Sequence, residues 1–413
     1  MKPHPSAAKA SQRRGPLGLA VFWGSLALWA LLGGCKEAPP DKTSPAPKPK
    51  ACAEPNDYVW ALPQGFPVPK VPEDNPMSQA KVDLGRHLFY DKRLSGNGTF
   101  SCASCHLQAL AFTDGRAQAK GATGELHPRS SMSLAGVAYA QTLTWANPIF
   151  RRLERQALGP LFAEFPVEMG LAGKESEAFE RLAKEPLYPP MFKRAFPCDD
   201  GQINLKTITR ALAAFQRTLI SGHSAFDKRR TEPEGFAESA RRGHALFESQ
   251  RLGCATCHGG VTFAEPQAEQ HPAFFNTGLY NLGDDGRYPH DNTGVYEISH
   301  KPQDMGHFKV PTLRNIALTA PYMHDGSIAT LDGVIDHYAA AGRNITEGPH
   351  AGNGAQNPHK SPRLKGFTLT AQERTDLLAF LKSLTDPSFL SNPTLSNPWD
   401  GPNGVRNHRT RSQ

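Results

Sequence analysis

The stretch SCASCH, from Ser101 to His106, decides the fold of the chain, and it returns as GCATCH from Gly253 to His258. Two cysteines separated by two residues and followed at once by a histidine form the attachment site of a c-type haem. A C-x-x-C pair alone would also suit a redox pair or a zinc site. The adjacent histidine in both copies favours two covalently bound haems. The predicted haem-binding residues are Cys102, Cys105, His106, Cys254, Cys257 and His258.

The sequence before each motif also repeats. LGRHLF at 84–89 and RGHALF at 242–247 share a glycine followed three residues later by Leu-Phe. An amphipathic helix that ends in this apolar pair, followed by a turn, would deliver each motif. Segment 205–220 has apolar residues at helical spacing, 370–384 opens with a capping box, and little of the chain has strand periodicity. The predicted fold is mainly α, with two tandem cytochrome c-type haem domains and long loops.

The composition suits a globular protein built around cofactors. The chain has 413 residues, 38% of them hydrophobic, and its 36 prolines and 37 glycines indicate long loops. The net charge of +7 could suggest nucleic-acid binding, but four basic residues and no acidic residue precede Cys35. Removal of that segment lowers the charge by four to +3, so we expect no nucleic-acid partner.

The first 34 residues have the form of a secretory signal. A basic start leads into an apolar run of 16 residues at 19–34, shorter than the roughly 20 residues of a membrane span. The end of the run, LLGGC, resembles a bacterial lipobox, which predicts a lipid on Cys35 as the only membrane attachment. Lys36 after it suggests, by family analogy, outer-membrane retention on the periplasmic side of the cell envelope. A plain cleaved signal with an incidental cysteine is the alternative.

The remaining organisation follows from composition shifts. After Cys35 the chain is rich in proline, lysine and alanine, which indicates an extended tether. Two cysteines remain unassigned, Cys52 and Cys198; they form a disulfide or are two unrelated free thiols. The predicted segments are a lipoprotein signal peptide at 1–34, a Pro-rich tether at 35–57, an N-terminal haem domain at 58–235, a C-terminal haem domain at 236–388 and an irregular tail at 389–413.

Three longer stretches carry a family resemblance over roughly Leu62 to Leu384. They are DLGRHLFYDKRLSGNGTFSCASCH at 83–106, PVEMG at 166–170 and FKVPTLRNIALTAPYMHDGS at 308–327. Together they resemble the diheme cytochrome c peroxidase and MauG superfamily. LTWANP at 143–148, the long LGPLFAEFPVEMG and the lipoprotein start look most like the MbnH branch. Those enzymes belong to methanobactin-type operons and oxidise a tryptophan of a partner protein.

The resemblance implies a ligand for the second haem. In the peroxidases a methionine from a helix of pattern L-x-x-A-V-x-x-M binds that iron. The matching stretch here is LDGVIDHY at 331–338, and Tyr338 takes the methionine position, as tyrosine does in the MauG branch. A neutral thioether favours reduced iron, whereas an anionic tyrosinate favours oxidised iron. The alternatives are that Tyr338 only packs and that His337, Met323 or His324 binds the iron.

At the first haem the resemblance implies a peroxide site. Glu168 in FPVEMG takes the position of the family's catalytic glutamate, which moves a proton between the peroxide oxygens; a capping or ion-paired glutamate is the alternative. Gln156 and Pro160 match two other residues of that pocket, although two extra residues separate Gln156 from Glu168. The family's distal histidine would fall at Ala122. His127 lies several residues further on and is interpreted as a loop histidine, which leaves one side of the iron open.

Two further roles are implied only by the resemblance. Trp145 falls near the tryptophan that lies between the two haems in relatives, with a core tryptophan as the alternative. Relatives also hold a calcium ion between the domains. Its carbonyl ligands match Thr319 and Pro321, and its asparagine ligand appears here as Ser130, a weaker oxygen donor.

The resulting functional hypothesis is a MauG- or MbnH-like enzyme. It would use hydrogen peroxide to form a bis-Fe(IV) state and then oxidise a residue of a partner protein, a tryptophan converted to kynurenine. The first alternative is a diheme peroxidase that reduces hydrogen peroxide with electrons from a small cytochrome. The second is a diheme electron carrier with no chemistry of its own.

Overall fold

The computed structural model describes residues 52–264 and 274–400. The predicted signal peptide, the predicted lipid-attachment residue Cys35, residues 36–51 of the predicted tether and residues 401–413 of the predicted tail lie outside these ranges. The described chain is mainly helical, as predicted. The α-helices are α1 (Gln79–Tyr90), α2 (Leu153–Gln156), α3 (Leu158–Phe162), α4 (Glu175–Ala183), α5 (Tyr188–Ala195), α6 (Leu205–Arg217), α7 (Glu238–Glu248), α8 (Tyr296–Ser299), α9 (Leu331–Ala339), α10 (Ala371–Ser383) and α11 (Pro387–Ser391).

The strands are short and form two small antiparallel sheets in the described ranges. Strand β1 (Phe274–Phe275) pairs with β2 (Phe308–Lys309), so that Phe275 lies opposite Phe308. Strand β3 (Asn344–Ile345) pairs with β4 (Gly352–Asn353). None of the helices in the described ranges combines the length and the apolar character that crossing a bilayer requires.

The same helix crossing occurs twice. Helix α1 packs against α6, and α7 packs against α10. At each crossing a glycine permits close backbone approach: a Cβ on Gly85 would lie 1.9 Å from the Ala211 carbonyl oxygen, and one on Gly243 would lie 1.9 Å from that of Asp376. These are the two glycines of the sequence repeat. Any side chain there would force the helices apart.

Each crossing belongs to its own apolar core. The first core is built mainly from α1, α4, α5 and α6, with Leu88 and Phe215 fully buried. The second is built from α7, α9 and α10 around Phe380, which is also fully buried. Two cores built on repeated helix pairs follow the repeat that the sequence predicts.

The segment that begins at Cys52 differs from the predicted tether. Cys52 and Cys198 form a disulfide that spans 146 residues of sequence. Glu54 pairs with the buried ammonium of Lys81 at 3.3 Å, and Asp57 accepts a hydrogen bond from the Gln79 backbone N–H at 3.1 Å. Residues 52–57 are therefore fixed to α1 and to the turn Pro197–Asp199 that follows α5, because a disulfide, an ion pair and a hydrogen bond hold them there.

The tail also differs from the prediction. It begins with α11, and Phe389 and Leu395 are 2% and 4% exposed in the first core. Trp399 donates its indole N–H to the His87 carbonyl at 3.2 Å. Residues 387–400 thus leave the second core and complete the first, because their scattered apolar side chains fill it. The composition alone does not indicate this.

Candidate active site

The first C-x-x-C-H motif is held in a short 3-10 turn. Ser101 precedes the turn Cys102–Ser104, and the Ser104 hydroxyl accepts the Ser101 backbone N–H at 3.0 Å. The Nδ1 atom of His106 lies 2.8 Å from the Phe112 carbonyl oxygen. Donation of the Nδ1 proton to this carbonyl leaves the Nε2 lone pair free for a metal, which is the usual arrangement of a ligating histidine.

The second motif repeats this geometry. The turn Cys254–Thr256 leads to His258, whose Nδ1 lies 2.8 Å from the Phe263 carbonyl oxygen. Both accepting residues have left-handed backbone, with φ of 61° at Phe112 and 54° at Phe263. Such a conformation is strained for a bulky residue. The same conformation occurs beside both histidines. This indicates that the hydrogen bond from the histidine to the carbonyl outweighs the backbone strain. The sequence analysis did not find this feature.

Each motif opens into a cavity. The first cavity has a volume of about 370 Å³ and is lined by Cys102, Cys105 and His106. The second has a volume of about 240 Å³ and is lined by Cys254, Cys257 and His258. The two thiols and the free histidine nitrogen of each motif thus face one largely apolar space. This donor set fits a covalently attached haem in each cavity.

Tyr338 lies on the second cavity. Its side chain lines the cavity wall, and His337, although buried, is not among the described residues that line it. Burial, followed by the nearby Cys257 and Cys254 thiols, raises the pKa of the Tyr338 phenol. Deprotonation there therefore needs a compensating cation such as a ferric iron. The arrangement favours Tyr338 over His337 as the candidate ligand.

The two other candidate ligands remain on the same cavity. Met323 and His324 both line it. The imidazole of His324 is stacked on Phe308, with ring centroids 3.5 Å apart and an interplanar angle of 10°. The stacking holds the His324 ring against strand β2. Tyr338 instead comes from α9, the helix that the sequence resemblance singled out.

Glu168 lies on the first cavity, in a loop between α3 and α4. Its backbone carbonyl accepts the Ala122 N–H at 2.7 Å, and its side chain, 40% exposed, faces the cavity space. Burial raises the pKa of Glu168 to about 7. A carboxyl group with this pKa exchanges a proton readily at neutral pH, as a general acid-base must.

The other predicted pocket residues lie on the same cavity. Gln156 ends α2 and Pro160 lies within α3, and both side chains line the space that Glu168 faces. The Pro160 carbonyl accepts the Met169 N–H at 2.9 Å, which ties α3 to the Glu168 loop. The structure therefore brings Gln156, Pro160 and Glu168 together. His127, interpreted from the sequence as a loop histidine, also lines this cavity.

Trp145 lines both cavities. Its indole N–H donates to the Ser130 carbonyl at 2.9 Å, and its own carbonyl accepts the Lys309 N–H at 2.8 Å. These bonds join the wall of the first cavity to strand β2 of the second. The indole thus lies in the partition between the two spaces.

The predicted calcium ligands lie close to this partition. Ser130, Thr319 and Pro321 all line the second cavity. The Ser130 hydroxyl donates to the carbonyls of Met323 at 3.3 Å and His324 at 3.4 Å. The predicted donors are all neutral oxygens, and Ca²⁺ takes six to eight oxygen ligands. No group of three or more acidic, histidine or cysteine side chains suited to a metal occurs in the described ranges. Calcium stays a prediction.

Lys309 is a cavity residue to which the sequence analysis gave no role. Its ammonium donates to the Val310 carbonyl at 3.2 Å and lines the second cavity. Burial lowers the pKa of Lys309 to about 8. An ammonium in this position fits a haem propionate, whose negative charge would raise the pKa of Lys309 again. The available signal was a lysine between apolar residues in FKVPTLRN.

Comparison with known proteins identifies the family. A family model described as di-haem cytochrome c peroxidase matches residues 79–234. A cytochrome c peroxidase of Denitromonas iodatirespirans is 36% identical over 353 residues, covering 80% of this chain and 88% of the relative. The MauG protein of Methylorubrum extorquens is 34% identical over 335 residues, covering 81% of this chain and 85% of the relative. The chain belongs to the diheme cytochrome c peroxidase and MauG family.

Solved structures agree with this assignment. A MauG-like protein associated with microbial copper homeostasis is 48% identical, with a TM-score of 0.79, covering 83% of this chain and 99% of that protein. The diheme peroxidase BthA of Burkholderia thailandensis, 21% identical with a TM-score of 0.58 over 76% and 88% of the two chains, shares the fold. As a member of the diheme peroxidase and MauG family, the chain is a haem-dependent oxidoreductase that acts with hydrogen peroxide. The family carries two c-type haems.

Proposed function

We propose that this enzyme works as MauG-type proteins do: it uses hydrogen peroxide to oxidise a residue, a tryptophan, of a partner protein. The observation that carries the proposal is Tyr338, which lines the second cavity where peroxidases of the family have methionine. The 48% identity to a MauG-like protein supports the same branch, MbnH-like in its sequence features. In this proposal residues 58–235 form the peroxide-reactive haem domain and 236–388 the tyrosine-ligated one.

Tyr338 favours stored oxidising equivalents over electron uptake. Bound haem would supply the iron chemistry that takes two oxidising equivalents from each peroxide. His258 and Tyr338 line the same cavity and would hold the iron of a bound haem there. As a ligand, an anionic, hard phenolate would stabilise oxidised iron, whereas a thioether would stabilise reduced iron. A peroxidase fed by a small cytochrome needs a second haem that accepts electrons easily. Tyr338 therefore argues against that function.

Glu168 moves the proton at the first cavity. Its carboxylate would accept a proton from one peroxide oxygen and return it to the other, which lets that second oxygen leave as water. A bound haem would supply the two electrons that cleavage of the O–O bond requires. Its pKa of about 7 makes both transfers accessible at neutral pH. Gln156 and Pro160 shape the side of the cavity from which peroxide approaches Glu168.

Trp145 connects the two cavities. An indole in the partition shortens the distance that an oxidising equivalent must cross, because it divides one long step into two short ones. The histidines of both motifs line cavities inside the protein rather than its outer surface. A protein substrate would therefore be oxidised from a distance. The proposed substrate is a surface tryptophan of the partner, with kynurenine as product.

The proposed location is the periplasmic side of a bacterial envelope, with the protein anchored by lipid on Cys35. The Cys52–Cys198 disulfide supports an oxidising compartment. Lys36 after the lipid-bearing cysteine supports the outer membrane. The tether then spans the residues between Cys35 and the disulfide.

The test uses the mature diheme protein, hydrogen peroxide and a candidate partner that carries a surface tryptophan. Mass spectrometry of the partner should show oxidation at one tryptophan, and Glu168→Gln should abolish it. In parallel, reduced small cytochrome is supplied instead of the partner. Rapid peroxide-dependent oxidation of that cytochrome, with an unmodified partner, would support the peroxidase function instead.

A further inference from the structure

His127 is the cavity residue that the proposed chemistry leaves unused. It lies in the loop that connects the first motif to the partition, and its backbone N–H donates to the Ala119 carbonyl at 2.7 Å. Its side chain is 27% exposed and lines the first cavity with Glu168. The Nε2 atom of His127 lies 3.9 Å from the Oε1 atom of Glu168.

The tautomer of His127 is set by its backbone. The Arg129 backbone N–H donates to Nδ1 at 3.1 Å. Nδ1 must therefore hold a lone pair, and the neutral ring carries its proton on Nε2, the atom that faces Glu168. Neither nitrogen then has a free lone pair for iron. This agrees with the prediction that His127 is not a haem ligand.

The charges around the pair favour a neutral imidazole. Burial, and then the Arg129 guanidinium, lower the pKa of His127 to about 4. Arg129 itself pairs with Glu297, and Glu125 accepts the Val167 N–H at 2.8 Å. Besides the thiols of Cys102 and Cys105, the charged or titratable side chains that line this cavity are His106, Lys120, Glu125, His127, Arg129, Glu168 and Glu297.

We propose that His127 is a positioning residue that acts through Glu168: its Nε2–H directs the carboxylate toward the peroxide and stabilises the ionised, proton-accepting form. The inference rests on the proposed role of Glu168. Both side chains are partly exposed to the cavity, so a shift of about 1 Å closes the gap to hydrogen-bond length. Loss of the donor raises the pKa of Glu168, because an N–H bond to a carboxylate favours its charged form.

The experiment compares His127→Ala and His127→Gln with the native diheme protein. Stopped-flow absorbance gives the rate constant for hydrogen peroxide with the oxidised protein between pH 5 and pH 9. In the native protein the rate rises with pH as Glu168 ionises. In His127→Ala the midpoint of that rise moves to higher pH and the rate at pH 7 falls ~5-fold. In His127→Gln an amide N–H replaces the donor and restores much of the native profile.

Leu126→Ala is the matched control, because Leu126 is the neighbouring residue and is 57% exposed. It should leave the profile unchanged. The inference fails if the midpoint in His127→Ala is unmoved or falls, or if alanine and glutamine variants behave alike. It also fails if either variant changes the coordination bands of the oxidised haems, which would make His127 a ligand. Partner oxidation is measured separately, so failure of the proposed function remains distinguishable.

Discussion

The two cavities share one construction and differ on the side opposite the histidine. In both, a glycine-mediated helix crossing leads to a 3-10 turn, and a left-handed phenylalanine aims its carbonyl at the histidine Nδ1. The first cavity then presents Glu168 and His127. The second presents Tyr338. The residues that would attach a haem are thus repeated, while other residues that line the two cavities differ.

The different side chains in the two cavities suit different chemical steps. A carboxyl group with a pKa of about 7 suits proton transfer to and from peroxide. The Tyr338 phenol, whose pKa is raised, has no such use at neutral pH, but as a ligand it would stabilise oxidised iron. We therefore propose that the first cavity reacts with peroxide, that the second stores oxidising equivalents, and that Trp145 in the partition joins them. The following substitutions change the first cavity, the second cavity, the partition between them and, last, a disulfide away from both.

The largest effect is expected from Glu168→Gln in the first cavity. The amide keeps the shape but cannot accept the peroxide proton, so the rate of reaction with hydrogen peroxide falls by ~10²–10⁴-fold. Stopped-flow absorbance of the oxidised protein measures it. Glu164→Gln, an exposed change four residues away, is the control. A Glu168→Gln rate within about twofold of native would remove the first cavity's role as the reactive one.

Tyr338→Met should change the second cavity into one of peroxidase type. The thioether favours reduced iron, so the variant gains oxidation of a reduced small cytochrome and loses oxidation of the partner. Potentiometry of the two haems, with steady-state cytochrome oxidation, measures the change. Tyr338→Phe separates loss of the phenolate from gain of methionine. An unchanged potential of the second haem would show that another residue, such as Met323 or His324, binds its iron.

Trp145→Phe tests whether Trp145 carries oxidising equivalents between the two cavities. Phenylalanine keeps most of the packing but is far harder to oxidise, so partner oxidation should slow by ~10-fold while the first reaction with peroxide keeps its rate. Single-turnover measurements of both steps separate them. Equal slowing of both steps would make Trp145 a packing residue of the cavity wall.

The smallest effect on chemistry is expected from Cys52→Ser with Cys198→Ser. The disulfide closes a loop across 146 residues, and its loss should reduce the free energy of unfolding by ~2–5 kcal/mol. Denaturant titration measures this, with the peroxide rate as the comparison. Because the bond lies at the edge of the first core, away from both cavities, a large loss of peroxide reactivity in the folded variant would contradict this separation.

The local repeats were predictable from sequence because they depend on short-range chemistry. Two C-x-x-C-H motifs, the glycines at 85 and 243 and the capping box at Thr370 all have structural counterparts. The resemblance also brought Glu168, Gln156 and Pro160 to one cavity and Trp145 to both. These residues lie in or next to the sequence segments that carry the family resemblance.

Long-range contacts were not predictable. Phe389 and Leu395 sit in a tail of low hydrophobicity, yet they pack into the first core with residues of α1. About 300 residues of sequence separate them from that helix. The sequence does not show how the loop that carries His127 folds, so its approach to Glu168 could not be predicted. The left-handed conformation of Phe112 and Phe263 runs against residue preference, so no local rule could suggest it.

The most direct test adds hydrogen peroxide to the oxidised, mature diheme protein without prior reduction and follows its optical and near-infrared spectra. The division between a reactive and a storing cavity predicts a long-lived near-infrared band with loss of the ferric signals of both haems. A protein that stays inert until one haem is reduced would contradict it. In that case the second cavity accepts electrons, and the enzyme is a peroxidase that draws on a small cytochrome.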